Sequence, residues 1–146
     1  MVRRSRNILL AEDNPLDVEI IKEAFKLIKS KSRLFVTQDG EEALDFLYHR
    51  GKYQGVSSAP VPHLILLDIR MPKMNGLEVL RIVKSDQNLK RIPIIMLTVS
   101  NRDLDIITAY DYGANSYIIK PIDFNAYVEI IREIEEYWLT IVKLPP

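Results

Sequence analysis

The sequence predicts an α/β fold in which a parallel sheet is covered by helices on both faces. Short, wholly apolar runs alternate with helical patterns along the chain. Such runs fit strands that meet helices on each side, as parallel strands do. Five of these strand-helix units follow one another, with no internal repeat and no low-complexity segment.

Ile8-Leu9-Leu10-Ala11 reads as the first strand, cut off by Glu12 and Asp13. Asn14 as N-cap and Pro15 at the first helical position then open a helix, with Val18, Ile21, Ala24, Phe25 and Ile28 forming one apolar stripe. Leu34 to Thr37 is a second strand, and Gln38-Asp39-Gly40 turns into a helix bearing Ala43, Leu44, Phe46 and Leu47. From Arg50 to His63 the chain reads as an extended surface connection, with Gly51, Gly55, Ser57, Ser58, Pro60 and Pro62. Leu64 to Leu67 is a third strand ending at Asp68; beyond the loop through Met71 and Met74, Leu77, Val79, Leu80 and Val83 mark a helix. Ile92 to Thr98 is the fourth strand, with Pro93 near its start, where a missing N–H is tolerable. A helix over Leu104 to Tyr112 closes at Gly113, Tyr117 to Ile119 is the last strand, and a long helix runs from about Asp123 toward Val142.

The 146 residues suit one domain, spanning 1–146, whose extended C-terminal helix and tail begin near 123. Apolar residues make up 47% and charged residues 27%, enough for a real core in a soluble, cytoplasmic protein. Twenty basic against twenty acidic residues leave no basic surplus for a nucleic-acid partner. Arg3, Arg4 and Arg6 read as a solvated arm, cut off too soon by Glu12 and Asp13 to belong to a signal peptide. The apolar runs are too short for a membrane partner, and the absence of cysteine removes disulfides, thiolate metal sites and a Cys nucleophile.

A parallel sheet of this kind carries its site at the carboxyl ends of its strands. There stand Glu12 and Asp13, Asp68, Thr98, and Lys120 before Pro121. Each alone is unremarkable, since a Glu-Asp pair before Asn-Pro is ordinary turn chemistry. Their joint placement after four different strands carries the signal. Two negative charges about 4 Å apart repel by roughly 4 kcal/mol at an effective dielectric near 20. Three carboxylates therefore require a cation, and oxygen-only ligands with retained waters suit Mg²⁺. Metal, amine and hydroxyl around one carboxylate equip a site for phosphoryl transfer, with Asp68 as nucleophile forming an aspartyl phosphate.

The set Ala11-Glu12-Asp13-Asn14, Leu67 to Pro72 around Asp68, Asn75-Gly76, Leu97-Thr98, Gly113-Ala114 and Lys120-Pro121 resembles the receiver domain of two-component response regulators. The resemblance implies a flavodoxin-like doubly wound five-stranded parallel sheet in the order 2-1-3-4-5. It implies that a sensor histidine kinase phosphorylates Asp68. Asp13 and Asp68 would bind Mg²⁺ directly, Glu12 through water, and Arg70 through its backbone carbonyl. Thr98 would hydrogen-bond the phosphoryl group, Lys120 would ion-pair with it, a cis peptide would precede Pro121, and Tyr117 would be the aromatic switch. Asn75 stands where an acid is common, Val99 is bulky enough to restrict access to Asp68, and Arg70 can overhang the phosphate. The Arg50 to Pro62 loop and the Tyr137 to Pro145 tail are similar to those of single-domain regulators paired with phytochrome-type kinases.

The unusually apolar last helix predicts a homodimer through the fourth helix, fifth strand and fifth helix, although Trp138 can also fold back on its own domain. His49 and His63 read as loop residues, and Met71 and Met74 as packing. These expectations describe a stoichiometric phosphoacceptor with slow self-dephosphorylation rather than an enzyme with a separate substrate. The main alternative is a Mg²⁺-dependent aspartyl-nucleophile phosphatase, which usually needs a second acid where Arg70 stands. An FMN binder would need donor-rich Gly, Ser or Thr where Glu12 and Asp13 stand.

Overall fold

The computed structural model describes residues 5–55 and 58–146, so Arg3, Arg4 and Ser57 lie outside the described residues. Five strands alternate with five helices: β1 Asn7–Ala11, α1 Pro15–Leu27, β2 Arg33–Thr37, α2 Gly40–Tyr48, β3 Leu64–Leu67, α3 Gly76–Ser85, β4 Ile94–Thr98, α4 Asp103–Asp111, β5 Ser116–Ile119 and α5 Phe124–Glu136. Every strand pairing is parallel, in the order β2-β1-β3-β4-β5.

The period-two alternation of strand side chains builds two cores from one apolar run. Leu9, Ala11, Ile65, Leu67, Ile94 and Met96 face α2 and α3. Their sequence neighbours Ile8, Leu10, Leu64, Leu66, Ile95 and Leu97 face α1 and α5. Burying each of the larger side chains contributes about 1.5–3 kcal/mol, which explains why no polar position interrupts these strands. With β1 flanked by β2 on one side and β3 on the other, the switch in order falls between β1 and β3.

Helix starts follow the expected chemistry. The Asn14 side chain accepts from the Leu16 N–H at 2.9 Å, that of Asp39 from Glu42 at 2.7 Å, and that of Asn75 from Glu78 at 3.0 Å. Asn75 thus serves as a cap where an acid is common. Gly113, at φ +105°, follows α4 in the left-handed region that glycine occupies without cost.

Most boundaries shift by a residue, and three segments differ more from expectation. β4 begins at Ile94 rather than Ile92, because Pro93 has no N–H to donate and contributes only its carbonyl, accepting from Ile65 at 3.0 Å. The α-helical part of the last helix ends at Glu136 and continues as one π turn, Tyr137–Ile141, closed by the Val142 N–H on the Tyr137 carbonyl at 2.8 Å. That wider turn directs Leu139 and Leu144 into the α1–α5 core with Trp138 half-buried beside them. The 50–63 connection is partly anchored. A 3₁₀ turn at Gly51–Tyr53 holds Glu42 through the Tyr53 hydroxyl (2.6 Å) and Lys52 (2.8 Å), while the His49 ring meets the Ala59 carbonyl at 2.8 Å.

Candidate functional site

Because all strands run the same way, their carboxyl ends bring Glu12, Asp13, Asp68, Thr98 and Lys120 to one edge of the sheet. Glu12, Asp13 and Asp68 each place a carboxylate oxygen within 4.8 Å of the others. Glu12 and Asp68 are buried and Asp13 is exposed, so the cluster opens to solvent on the Asp13 side. Gly76 makes the floor possible: a Cβ there would sit 1.9 Å from the Asp68 carbonyl oxygen, and its N–H instead donates to the Ile69 carbonyl at 2.7 Å.

The Lys120 side chain is only 4% exposed, and its ammonium meets three carboxylates. Glu12 Oε1 lies at 2.5 Å, Asp17 Oδ2 at 2.8 Å and Asp68 Oδ2 at 3.0 Å. An ammonium has three N–H donors, and three partners occupy them all. Burial of such a charge is tolerable only with this pairing. Desolvation alone would lower the affinity of Lys120 for its proton, but hydrogen bonds to Asp17 and Glu12 and the Asp68 charge raise it above the usual lysine value. Glu12 is raised as well, but by its burial rather than by its partners. Burial pushes its pKa up to about 7, helped by Asp68 and opposed by Lys120 and the Asn14 N–H. The other Asp68 oxygen, Oδ1, accepts from the Ile69 N–H at 2.7 Å, which fixes the carboxylate plane.

Thr98 is fully buried, and its hydroxyl oxygen accepts from the Ser100 N–H at 3.3 Å. Tyr117 is half-buried and donates its hydroxyl to the Ser100 carbonyl at 2.8 Å. Ser100 therefore joins the two residues, and its own hydroxyl donates to Asp105 at 2.5 Å at the start of α4. Burial is the main cause that raises the Tyr117 pKa.

Several expectations need correction or refinement. No cis peptide occurs among the described residues, so the Lys120–Pro121 bond is trans, not cis. The isomers of an X–Pro bond differ by only about 0.5–1 kcal/mol, too little for a dipeptide to specify. Val99 is 63% exposed, with its side chain turned largely to solvent rather than buried over the site. Arg70 is exposed, while Met71 packs in the core with Met74 against it, as expected of packing residues.

Asp17 and Ser100 escaped the sequence reading. An acid in the first turn of a helix is ordinary, since the helix dipole favours it there, and Ser100 lies in a polar loop. The only available signal was that Asp17 follows Asp13 by one helical turn. Three oxygen-only carboxylates with no nitrogen or sulfur ligand fit a hard divalent cation, so the donor chemistry agrees with the expected metal. Among the described residues no helix is long and apolar enough to cross a membrane.

A five-stranded parallel sheet in this order with an acidic cluster, a buried lysine and a buried threonine at its carboxyl edge defines a flavodoxin-like domain of the receiver class. The response regulator receiver domain matches residues 8–132, and the chain belongs to that family. It is 37% identical over 138 residues to response regulator Rcp1 of Synechocystis, covering 94% of this chain and 92% of that protein. It is 40% identical over 133 residues to a probable methanogenesis regulatory protein, FilR2, of Methanothrix harundinacea, covering 90% and 83% respectively. The crystal structure of the phosphorylated cyanobacterial phytochrome response regulator RcpA superposes with a TM-score of 0.90 at 38% identity, covering 98% of this chain and all of that one. A Mn²⁺-bound form of Rcp1 superposes with a TM-score of 0.88 at 36% identity, covering 97% and 99%. The fold and the acidic pocket are thus those of receiver domains.

Proposed function

We propose that this protein is a stand-alone response regulator, one receiver domain over 1–146, that accepts a phosphoryl group on Asp68 from a sensor histidine kinase. The carrying observation is the convergence of Asp68 with Glu12 and Asp13 within 4.8 Å, beside a lysine paired to all but Asp13. Asp13 and Asp68 would hold Mg²⁺ directly, Glu12 through water, and the Arg70 carbonyl would complete the protein ligands. A cation held there would supply the positive charge that lets an anionic phosphoryl group approach these carboxylates.

An Asp68 carboxylate oxygen attacks phosphorus, and the bond from phosphorus to the kinase imidazole nitrogen breaks, its electron pair staying on the nitrogen. Thr98 Oγ1, which accepts from Ser100 at rest, then donates to a phosphoryl oxygen while Lys120 pairs with another. Any movement of Thr98 toward the phosphoryl group is passed to the Ser100 backbone, whose N–H it holds and whose carbonyl Tyr117 holds, so the ring responds. Hydrolysis of the aspartyl phosphate is slow and returns the switch to rest.

The similarity to RcpA and Rcp1 supports a phytochrome-type kinase as partner, and the dispersion of relatives to FilR2 keeps the input class broad. We place the protein in the cytoplasm, with no membrane or nucleic-acid partner, and as a homodimer through α4, β5 and α5. An aspartyl phosphatase is disfavoured by Arg70, which puts a cation where that chemistry uses an acid.

With acetyl phosphate and Mg²⁺, intact-mass measurement should show one added phosphoryl group on the wild type and none on Asp68→Asn. Equal labelling of the variant would remove Asp68 from its role, and steady turnover of a phosphate ester would favour the phosphatase.

A further inference from the structure

The Lys120 ammonium has no donor to spare. Its three N–H groups go to Glu12, Asp17 and Asp68 at 2.5, 2.8 and 3.0 Å. A phosphoryl oxygen can gain this ammonium only if one carboxylate gives it up. Two of the three partners change character during the reaction proposed above. Asp68 loses its charge on that oxygen pair when it is esterified, and Glu12 belongs to the metal-binding cluster. Asp17 does neither. It comes from α1 rather than from a strand end, is absent from the three-carboxylate cluster, and takes no part in the bond made at Asp68. Its place in the first turn of α1 stabilises that charge through the helix dipole.

We propose that Asp17 is a positioning residue that holds the Lys120 ammonium toward α1 and competes with the phosphoryl group for it. The contact restrains phosphorylation in the resting protein and weakens the ion pair that Lys120 forms with the phosphoryl group afterwards. Asp17 also adds one negative charge beside a pocket that must receive an anion. This inference rests on the assignment of Asp68 as phosphoacceptor.

Asp17→Asn keeps the shape and a neutral acceptor for Lys120 but removes the charge. Labelling by acetyl phosphate, in which Asp68 oxygen bonds to phosphorus and acetate departs with the electron pair, should be roughly three- to tenfold faster in this variant. Calorimetric titration with beryllofluoride and Mg²⁺, a readout that involves no turnover, should show tighter binding by a similar factor of roughly three to ten. Asp17→Glu, which restores the charge within reach of Lys120, should move both values back toward wild type. A purely structural residue would not produce faster labelling that the conservative variant reverses. Should Asp17→Asn fail to fold, Asp17→Ser carries the same expectations.

Wild-type or slower labelling and unaltered beryllofluoride affinity in the charge-removed variant would overturn the restraint while leaving Asp68 in its role, provided Asp68→Asn stays unlabelled. An unlabelled wild type, or a labelled Asp68→Asn, would instead remove the reading on which the restraint depends.

Discussion

Removing the ammonium of Lys120 would leave Glu12, Asp17 and Asp68 facing one another with no counter-charge between them. Breaking a buried ion pair by deleting one partner costs about 3–5 kcal/mol, because the charge left behind stays desolvated. Lys120→Met should therefore unfold at lower urea in the absence of metal, by an amount in that range, and recover part of the loss when Mg²⁺ is added. A change below about 1 kcal/mol would show that the carboxylates relax into solvent instead. At this scale the sequence was informative about residues that end strands. Glu12, Asp13, Asp68, Thr98 and Lys120 are legible because a parallel sheet puts every strand's last residue on the same edge. Asp17 was not, because its partner lies far along the chain and an acid in the first turn of a helix is already explained by the helix dipole.

Between elements, the amino ends of β1 and β3 are joined by His63. The Asn7 N–H donates to its Nδ1 at 3.0 Å, and the His63 N–H returns a bond to the Asn7 carbonyl at 2.7 Å. A ring nitrogen that accepts must be unprotonated, and burial together with the nearby Arg6 charge pushes the His63 pKa below its ordinary 6.5. The sign follows from linkage. As pH falls through 6.5 the unfolded chain takes up a proton that the folded chain refuses, so stability declines until the lower folded pKa is passed. The thermal midpoint of the wild type should thus fall more steeply between pH 7 and 5 than that of His63→Asn. Parallel profiles would show that the imidazole is not held neutral. The elements themselves were readable because burial on two faces leaves only apolar choices in β1, β3 and β4. Their ends were less so. Whether α5 stops at Glu136 or widens into a π turn depends on how Leu139 and Leu144 reach the α1 core, which no local pattern encodes. The buried Glu135 shows the same limit. It reads as one more acid on a helix, yet it accepts from Ser30 and Ser32 at 3.0 and 3.4 Å and fastens α5 to the loop before β2.

For the whole molecule, the distribution of exposed apolar side chains decides where a second copy would bind. Leu104 and Ile107 on α4, Ile119 at the end of β5, Ile122 in the loop that follows and Phe124 at the start of α5 are all exposed. Such residues scattered singly mean little, but here they belong to three consecutive elements. If that face forms the proposed homodimer, Ile107→Asp combined with Ile119→Asp should sediment as a monomer while still accepting one phosphoryl group on Asp68. A dimer that survives both substitutions would place the interface elsewhere.

By itself the sequence determined the layer architecture, the polarity of the sheet edge and the types of group gathered there, since apolar periodicity and strand-terminal chemistry are local properties. Tertiary structure alone decided how those groups share their bonds: that Lys120 divides itself among three acids, one of them from α1, and that Ser100 links Thr98 to Tyr117. Hydrogen bonds of a buried ammonium are assigned by distances among remote segments, and those distances exist only once the sheet has brought the segments together.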